Sequence, residues 1–150
     1  MKEKISQMTQ STFYLYPTIR KSFRSLVALK SLPLSTTQLV CLNTVDTMEN
    51  CTMSALAKEL QMSNQQLTKV VDVLEEMGTV VRKYNEKNRR QVLVCTTDKG
   101  KKFLEDLRNE VSKKLEELFT SLPSEERNNL IDSILGLLDN LKHLDEKYLK

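Results

Sequence analysis

The sequence predicts a mainly α-helical chain with one small β-hairpin, and three observations carry that expectation. Gly and Pro are scarce, three of each in 150 residues, so helices can run for long stretches without interruption. Apolar residues recur at helical spacing through most of the chain, for instance Leu67, Val70, Val71, Leu74 and Met77. Only between Thr79 and Thr96 does the pattern change, to two β-branched runs separated by a polar turn. A chain of this length makes one compact domain that buries roughly 70% of the surface its unfolded form exposes.

The elements follow in order. From about Ser6 to Lys30 an apolar stripe of Phe13, Tyr16, Ile19, Phe23, Leu26 and Val27 marks a first helix, with Pro17 a point of kinking or breakage. Leu32-Pro33-Leu34-Ser35 stops the chain and restarts it, with Ser35 as N-cap and Gln38 at the capping-box position. Leu39, Leu42 and Val45 face inward on this second helix. A polar loop, Met48 to Cys51, leads to a short helix with Leu56, Ala57 and Leu60 inward. The tight connection Gln61-Met62 opens a second capping box, Ser63-x-x-Gln66, and the helix it starts ends at Gly78, where a left-handed cap belongs. Strands over Thr79–Tyr84 and Gln91–Thr96 flank the turn Asn85–Arg90. From Asp98 a long amphipathic helix runs to about Phe119, Leu122-Pro123 breaks it, and a last helix carries Leu130, Ile131, Ile134, Leu137, Leu138, Leu141 and Leu144. Three helices closed by a two-stranded hairpin form the winged helix-turn-helix arrangement.

Charge is distributed unevenly. Residues 79–102 hold eight basic and two acidic side chains, net +6, whereas residues 103–150 hold seven and eleven, net −4. This polarity points to an anionic partner at one end of the molecule. After Ser63 the first turns offer Asn64, Gln65, Gln66, Thr68 and Lys69, the amide, hydroxyl and amine groups that hydrogen-bond base edges in a major groove. The hairpin offers Arg82, Lys83, Lys87, Arg89 and Arg90, and Arg in a narrow minor groove meets concentrated negative potential. A solvated helix face and a charged, aggregation-blocking edge hairpin are the alternatives to these readings.

From Leu34 to Gly100 the chain resembles the MarR (multiple-antibiotic-resistance) family of bacterial transcriptional regulators. The resemblance rests on Leu34-Ser-x-x-Gln38, Leu56-Ala57-x-x-Leu60-x-Met62-Ser63, Leu67-Thr-Lys-Val-Val-Asp-x-Leu74-Glu-x-x-Gly78, Asn88-Arg89-Arg90 and Thr97-x-x-Gly100. It implies a winged helix-turn-helix over 34–100, and dimerisation helices over 1–33 and 101–150. Ser63 to Lys69 would then read the major groove of a pseudo-palindromic double-stranded operator, and Arg90 would enter the minor groove. The resemblance further implies a cytoplasmic homodimeric regulator, a repressor released by a small aromatic or acidic effector, with Phe13, Tyr16, Arg20 and Phe23 as the candidate pocket and a plain core or interface role as the other reading of those four. Two positions depart from the family pattern: Asn88 stands where the wing usually has Asp, and Gln61 where the inter-helical turn often has Gly. The apolar row on the last helix fits a dimer interface, with packing on the chain's own long helix as the other reading.

Other functions find less support. Enzymatic activity is not expected, because there is no Ser-His-Asp set, phosphate-cradling glycine loop or metal cluster, and His143 is the single histidine. No cofactor or metal is expected. No apolar run spans a membrane and no signal-peptide core opens the chain. The family's peroxide-sensing branch uses a Cys in its first helix, and none lies there; Cys41 and Cys95 read as structural and Cys51, in a polar loop, as the exposed thiol. The remaining alternative is a winged-helix protein-interaction module whose cationic hairpin docks an acidic protein.

Overall fold

The computed structural model describes residues 1–27, 32–49, 51–85 and 88–148. Of Tyr16, Ile19, Arg20, residues 22–27, Asn85, Arg89, Arg90, Asp145, Glu146 and Tyr148 it describes the backbone alone. Six helices and a hairpin follow in the order α1 (Lys2–Val27), α2 (Thr36–Thr47), α3 (Met53–Glu59), α4 (Asn64–Glu76), β1 (Val80–Asn85), β2 (Asn88–Thr96), α5 (Asp98–Thr120) and α6 (Ser124–Tyr148) among the described residues. The chain divides into two compact units, Met1–Glu110 and Val111–Lys150, with the division inside α5.

The core of the first unit is built by the faces the periodicity marks. Leu39, Leu42 and Val45 of α2, Leu56 and Ala57 of α3, and Leu67, Val71 and Leu74 of α4 are buried together with Val80, Val94 and Leu104. Each apolar side chain so buried contributes about 1.5–3 kcal/mol against exposure. Helix α1 runs unbroken through Pro17, and its described side chains are exposed, Phe13 at 78%. Of the apolar stripe expected on α1, the side chains of Tyr16, Ile19, Phe23, Leu26 and Val27 lie outside the described residues.

The hairpin differs from expectation in two ways. Strand β2 begins at Asn88, so Arg89 and Arg90 belong to the strand rather than to the connecting turn. Pairing runs regularly from Val80↔Thr96 to Tyr84↔Val92 and then shifts to Asn85↔Asn88, one step along β1 against four along β2. That irregularity carries the pairing past the polar stretch that would otherwise end it. Second, the loop before α3 joins the sheet: Thr52 bridges Leu93 and the Val94 N–H donates to the Cys51 carbonyl at 2.8 Å. Cys51 is therefore buried, at 3% exposure, and not the exposed thiol that its polar neighbours imply.

In the second unit, the α6 residues Leu130, Ile131, Ile134, Leu137, Leu138, Leu141 and Leu144 are all exposed, between 37% and 51%.

Candidate nucleic-acid interface

The interface candidate starts at the turn between α3 and α4. Gln61 takes a positive φ of 51°, the left-handed conformation that reverses the chain between the helices. Ser63 then caps α4 in extended conformation: its Oγ accepts from the Gln66 N–H at 3.3 Å, and Gln66 Oε1 accepts from the Ser63 N–H at 3.1 Å. The Ser63 hydroxyl and Gln66 Oε1 also share a hydrogen bond of 2.9 Å, and Thr68 Oγ1 donates to the Asn64 carbonyl at 2.8 Å. The six α4 candidates thus separate. Ser63, the Gln66 acceptor and the Thr68 hydroxyl hold the helix together, while the side chains of Asn64, Gln65 and Lys69 stand exposed on its first two turns.

At its other end α4 stops in a Schellman arrangement. The Gly78 N–H donates to Glu75 O at 2.8 Å and the Thr79 N–H to Leu74 O at 2.9 Å, with Gly78 at φ 71°. The Thr79 hydroxyl donates to the same Leu74 carbonyl at 2.9 Å. Thr97, the residue before α5, closes the corner by donating its hydroxyl to Gly78 O at 2.7 Å and accepting from the Gly100 N–H at 3.1 Å. Lys99 Nζ donates to Met77 O at 2.7 Å. Start of hairpin, end of α4 and start of α5 are thereby knotted at one point.

Arg82 ties the hairpin to α4 a second time. Its backbone N–H donates to Glu75 Oε1 at 2.9 Å, its Nη1 to Glu75 Oε2, and its Nη2 to Asp72 Oδ1 at 2.6 Å and weakly to Thr68 O at 3.5 Å. The backbone hydrogen bond from Arg82, together with its guanidinium, lowers the Glu75 pKa below the usual carboxylate value. A depressed carboxylate pKa means that this tie is present above the unfolded-state pKa of Glu75 and is lost as pH falls through the lowered value. Arg82 is thus engaged within the protein, unlike its neighbour Lys83, which is exposed. Of the other hairpin candidates, Asn88 is exposed at the start of β2, Lys87 lies outside the described residues, and Arg89 and Arg90 are described as strand backbone only.

The remaining chemistry-bearing groups lead elsewhere. Burial pushes the Cys41 thiol up to about 11, with Cys51 adding to the shift, and burial followed by Cys95 raises Cys51. Both are protonated near neutral pH and poor nucleophiles. Cys51 and Cys95 line a cavity of about 270 Å³ with Asp46, Met48 and Lys101. Of the effector-pocket candidates, Phe13 is exposed on α1, and the side chains of Tyr16, Arg20 and Phe23 lie outside the described residues. Among the described residues no cluster of His, Cys, Asp or Glu is placed to hold a metal, and no helix is long and apolar enough to cross a membrane.

A short capped helix, a tight turn, a second capped helix with exposed amides and a hairpin fixed to that helix define a winged helix-turn-helix protein. Residues 34–92 match the model of the MarR family. The similarity to that family is carried by this central segment, from the residues that open α2 into β2. It is similar to the uncharacterised HTH-type transcriptional regulator YdgJ of Bacillus subtilis (strain 168), with 26% identity over 97 residues, 65% of this chain and 59% of the relative. The chain thus spans less than two thirds of that relative's length. It is also similar to the transcriptional repressor MprA of Escherichia coli (strain K12), 27% identical over 120 residues, 79% of this chain and 68% of the relative. The fold recurs in the crystal structure of MarR, at TM-score 0.69 and 20% identity over 88% of this chain and 98% of that one. It recurs again in the transcriptional regulator BldR from Sulfolobus solfataricus, at TM-score 0.65 and 24% identity over 91% of this chain and 98% of that one.

Proposed function

We propose that this chain is a homodimeric, sequence-specific regulator of transcription that binds double-stranded DNA, acting as a repressor released by a small-molecule effector. One observation supports it above the others: strand β1 is tied through Arg82 to α4, the helix that carries the exposed amides, so that helix and hairpin could meet one duplex together. Asn64 and Gln65 are suited to hydrogen-bond base edges, and Gln66 keeps its Nε2 donors outside the cap. Lys69 and Lys83 would supply charge to phosphates, and the candidates Lys87, Asn88, Arg89 and Arg90, named from the sequence, would meet the backbone and the adjacent minor groove. Repression accords with the name of the MprA relative. The apolar row of α6 supports the dimer, because two copies together would cover what one leaves exposed.

Footprinting on the DNA flanking the reading frame tests this function. A protected pseudo-palindrome with half-sites about 10 base pairs apart is expected. Six or more phosphate contacts would lower its affinity on the order of 10³-fold between 50 and 200 mM salt. Aromatic carboxylates titrated into that complex should release it if the effector is of that class. Equal affinity for every duplex at physiological salt would remove specific regulation from the reading.

A further inference from the structure

Two carboxylates on the DNA-facing helix of a DNA-binding protein require a reason. Asp72, Glu75 and Glu76 against Lys69 give residues 61–78 a net charge of −2, and every unpaired carboxylate there opposes phosphate binding. Asp72 and Glu75 are the two that meet the hairpin. Both are held by Arg82, which also reaches Thr68 O, so its guanidinium lies along residues 68, 72 and 75, one stripe of α4. The contact is an ion-pair fork strengthened by a backbone bond, not a loose surface pair. Arg82 is the third residue of β1, opposite Val94 in the ladder, and Tyr84 two residues on is 75% exposed. The hairpin is therefore secured to α4 at its base and at Arg82, and extends beyond it.

The lever is long. From Val80 to Asn85 the strand covers roughly 16 Å at about 3.3 Å per residue, so a pivot of about 10° at the base moves the hairpin end by about 3 Å. A hydrogen bond or a groove contact does not survive such a displacement. We propose that Arg82 is a positioning residue: it makes no contact with DNA, and by bridging Asp72 and Glu75 it sets the direction in which the wing leaves α4, so that helix and wing address the duplex in one register. This rests on the DNA-binding reading above.

The test exploits opposite signs. In the full-length double variant Asp72→Asn/Glu75→Gln, two negative charges disappear from the DNA face and Arg82 is released. If Arg82 acted as a phosphate contact, or if charge alone mattered, the operator would bind more tightly. Positioning predicts the reverse for the operator: affinity falls by about tenfold, the scale of one lost groove contact, while affinity for random duplex is unchanged or increased. The ratio of specific to non-specific affinity is the readout, and a merely structural role would not move it at constant folded fraction. Arg82→Lys keeps the charge and the backbone bond but cannot fork between two carboxylates. It should lower the same ratio while leaving the slope of affinity against salt unchanged, and it serves if the double variant folds poorly. Operator binding by either variant as tight as wild type, or tighter, overturns the proposal. A wild-type chain without any sequence-specific binding overturns the DNA reading itself, and this inference with it.

Discussion

Gln66 holds the start of α4 with one end of its amide: its Oε1 closes the capping box on Ser63, while its Nε2 takes no part in the cap and the residue is exposed. Replacing it by Ala should therefore lower stability by about 1 kcal/mol through the lost cap, whereas Gln65→Ala should change stability by less than about 0.5 kcal/mol. Thermal melting of the two variants separates these effects, and operator selection with each should show altered base preference. Equal melting of both would mean that the cap is energetically idle. The cap was legible in the sequence because a capping box is written within four positions. Cys51 was not. Its polar neighbours indicate exposure, and its burial comes from Thr52 pairing with Leu93, far along the chain.

At the scale of elements, helix boundaries follow local chemistry. Ser35, Thr52 and Ser63 all accept a hydrogen bond from the third residue of the helix each one caps, and Gly78 supplies the left-handed turn that lets α4 end and β1 begin. Gly100 has a different role. A Cβ built there would lie 2.1 Å from the Thr79 carbonyl oxygen, a backbone atom fixed by its bond from Thr97 N–H at 3.0 Å. Gly100→Ala should push α5 from the hairpin base and destabilise the first unit by about 1–3 kcal/mol, measured as a lowered urea midpoint. The hairpin's far end resisted reading. A polar, cationic stretch between β-branched runs predicts a turn over Asn85–Arg90, but the shifted register extends β2 back to Asn88. Bulges depend on which residues are opposite, and that is not encoded in the spacing of one strand.

For the whole molecule, the uneven charge and the exposed row on α6 are the features a partner would answer. Leu138, in the middle of that row, is 50% exposed. If α6 forms the dimer interface, Leu138→Glu places a charge in it and should shift the chain toward monomer in analytical ultracentrifugation at micromolar concentration. Operator affinity should fall with it, because two half-sites are then no longer bound by one particle. A variant that sediments like wild type would place the interface elsewhere.

The sequence by itself determined the element order, the caps, the Gly78 turn, the inward faces of α2, α3 and α4 and the family resemblance. All of these rest on interactions between residues a few positions apart or on periodicity, which a linear reading preserves. Tertiary structure alone decided that Cys51 is buried, that β2 starts before Arg89, and that Arg82 answers to Asp72 and Glu75. An arginine carries the same charge and the same five donors whether it faces a phosphate or a carboxylate. Only the groups the fold brings within reach, here two acids on the preceding helix at hydrogen-bonding distance, decide which one it meets.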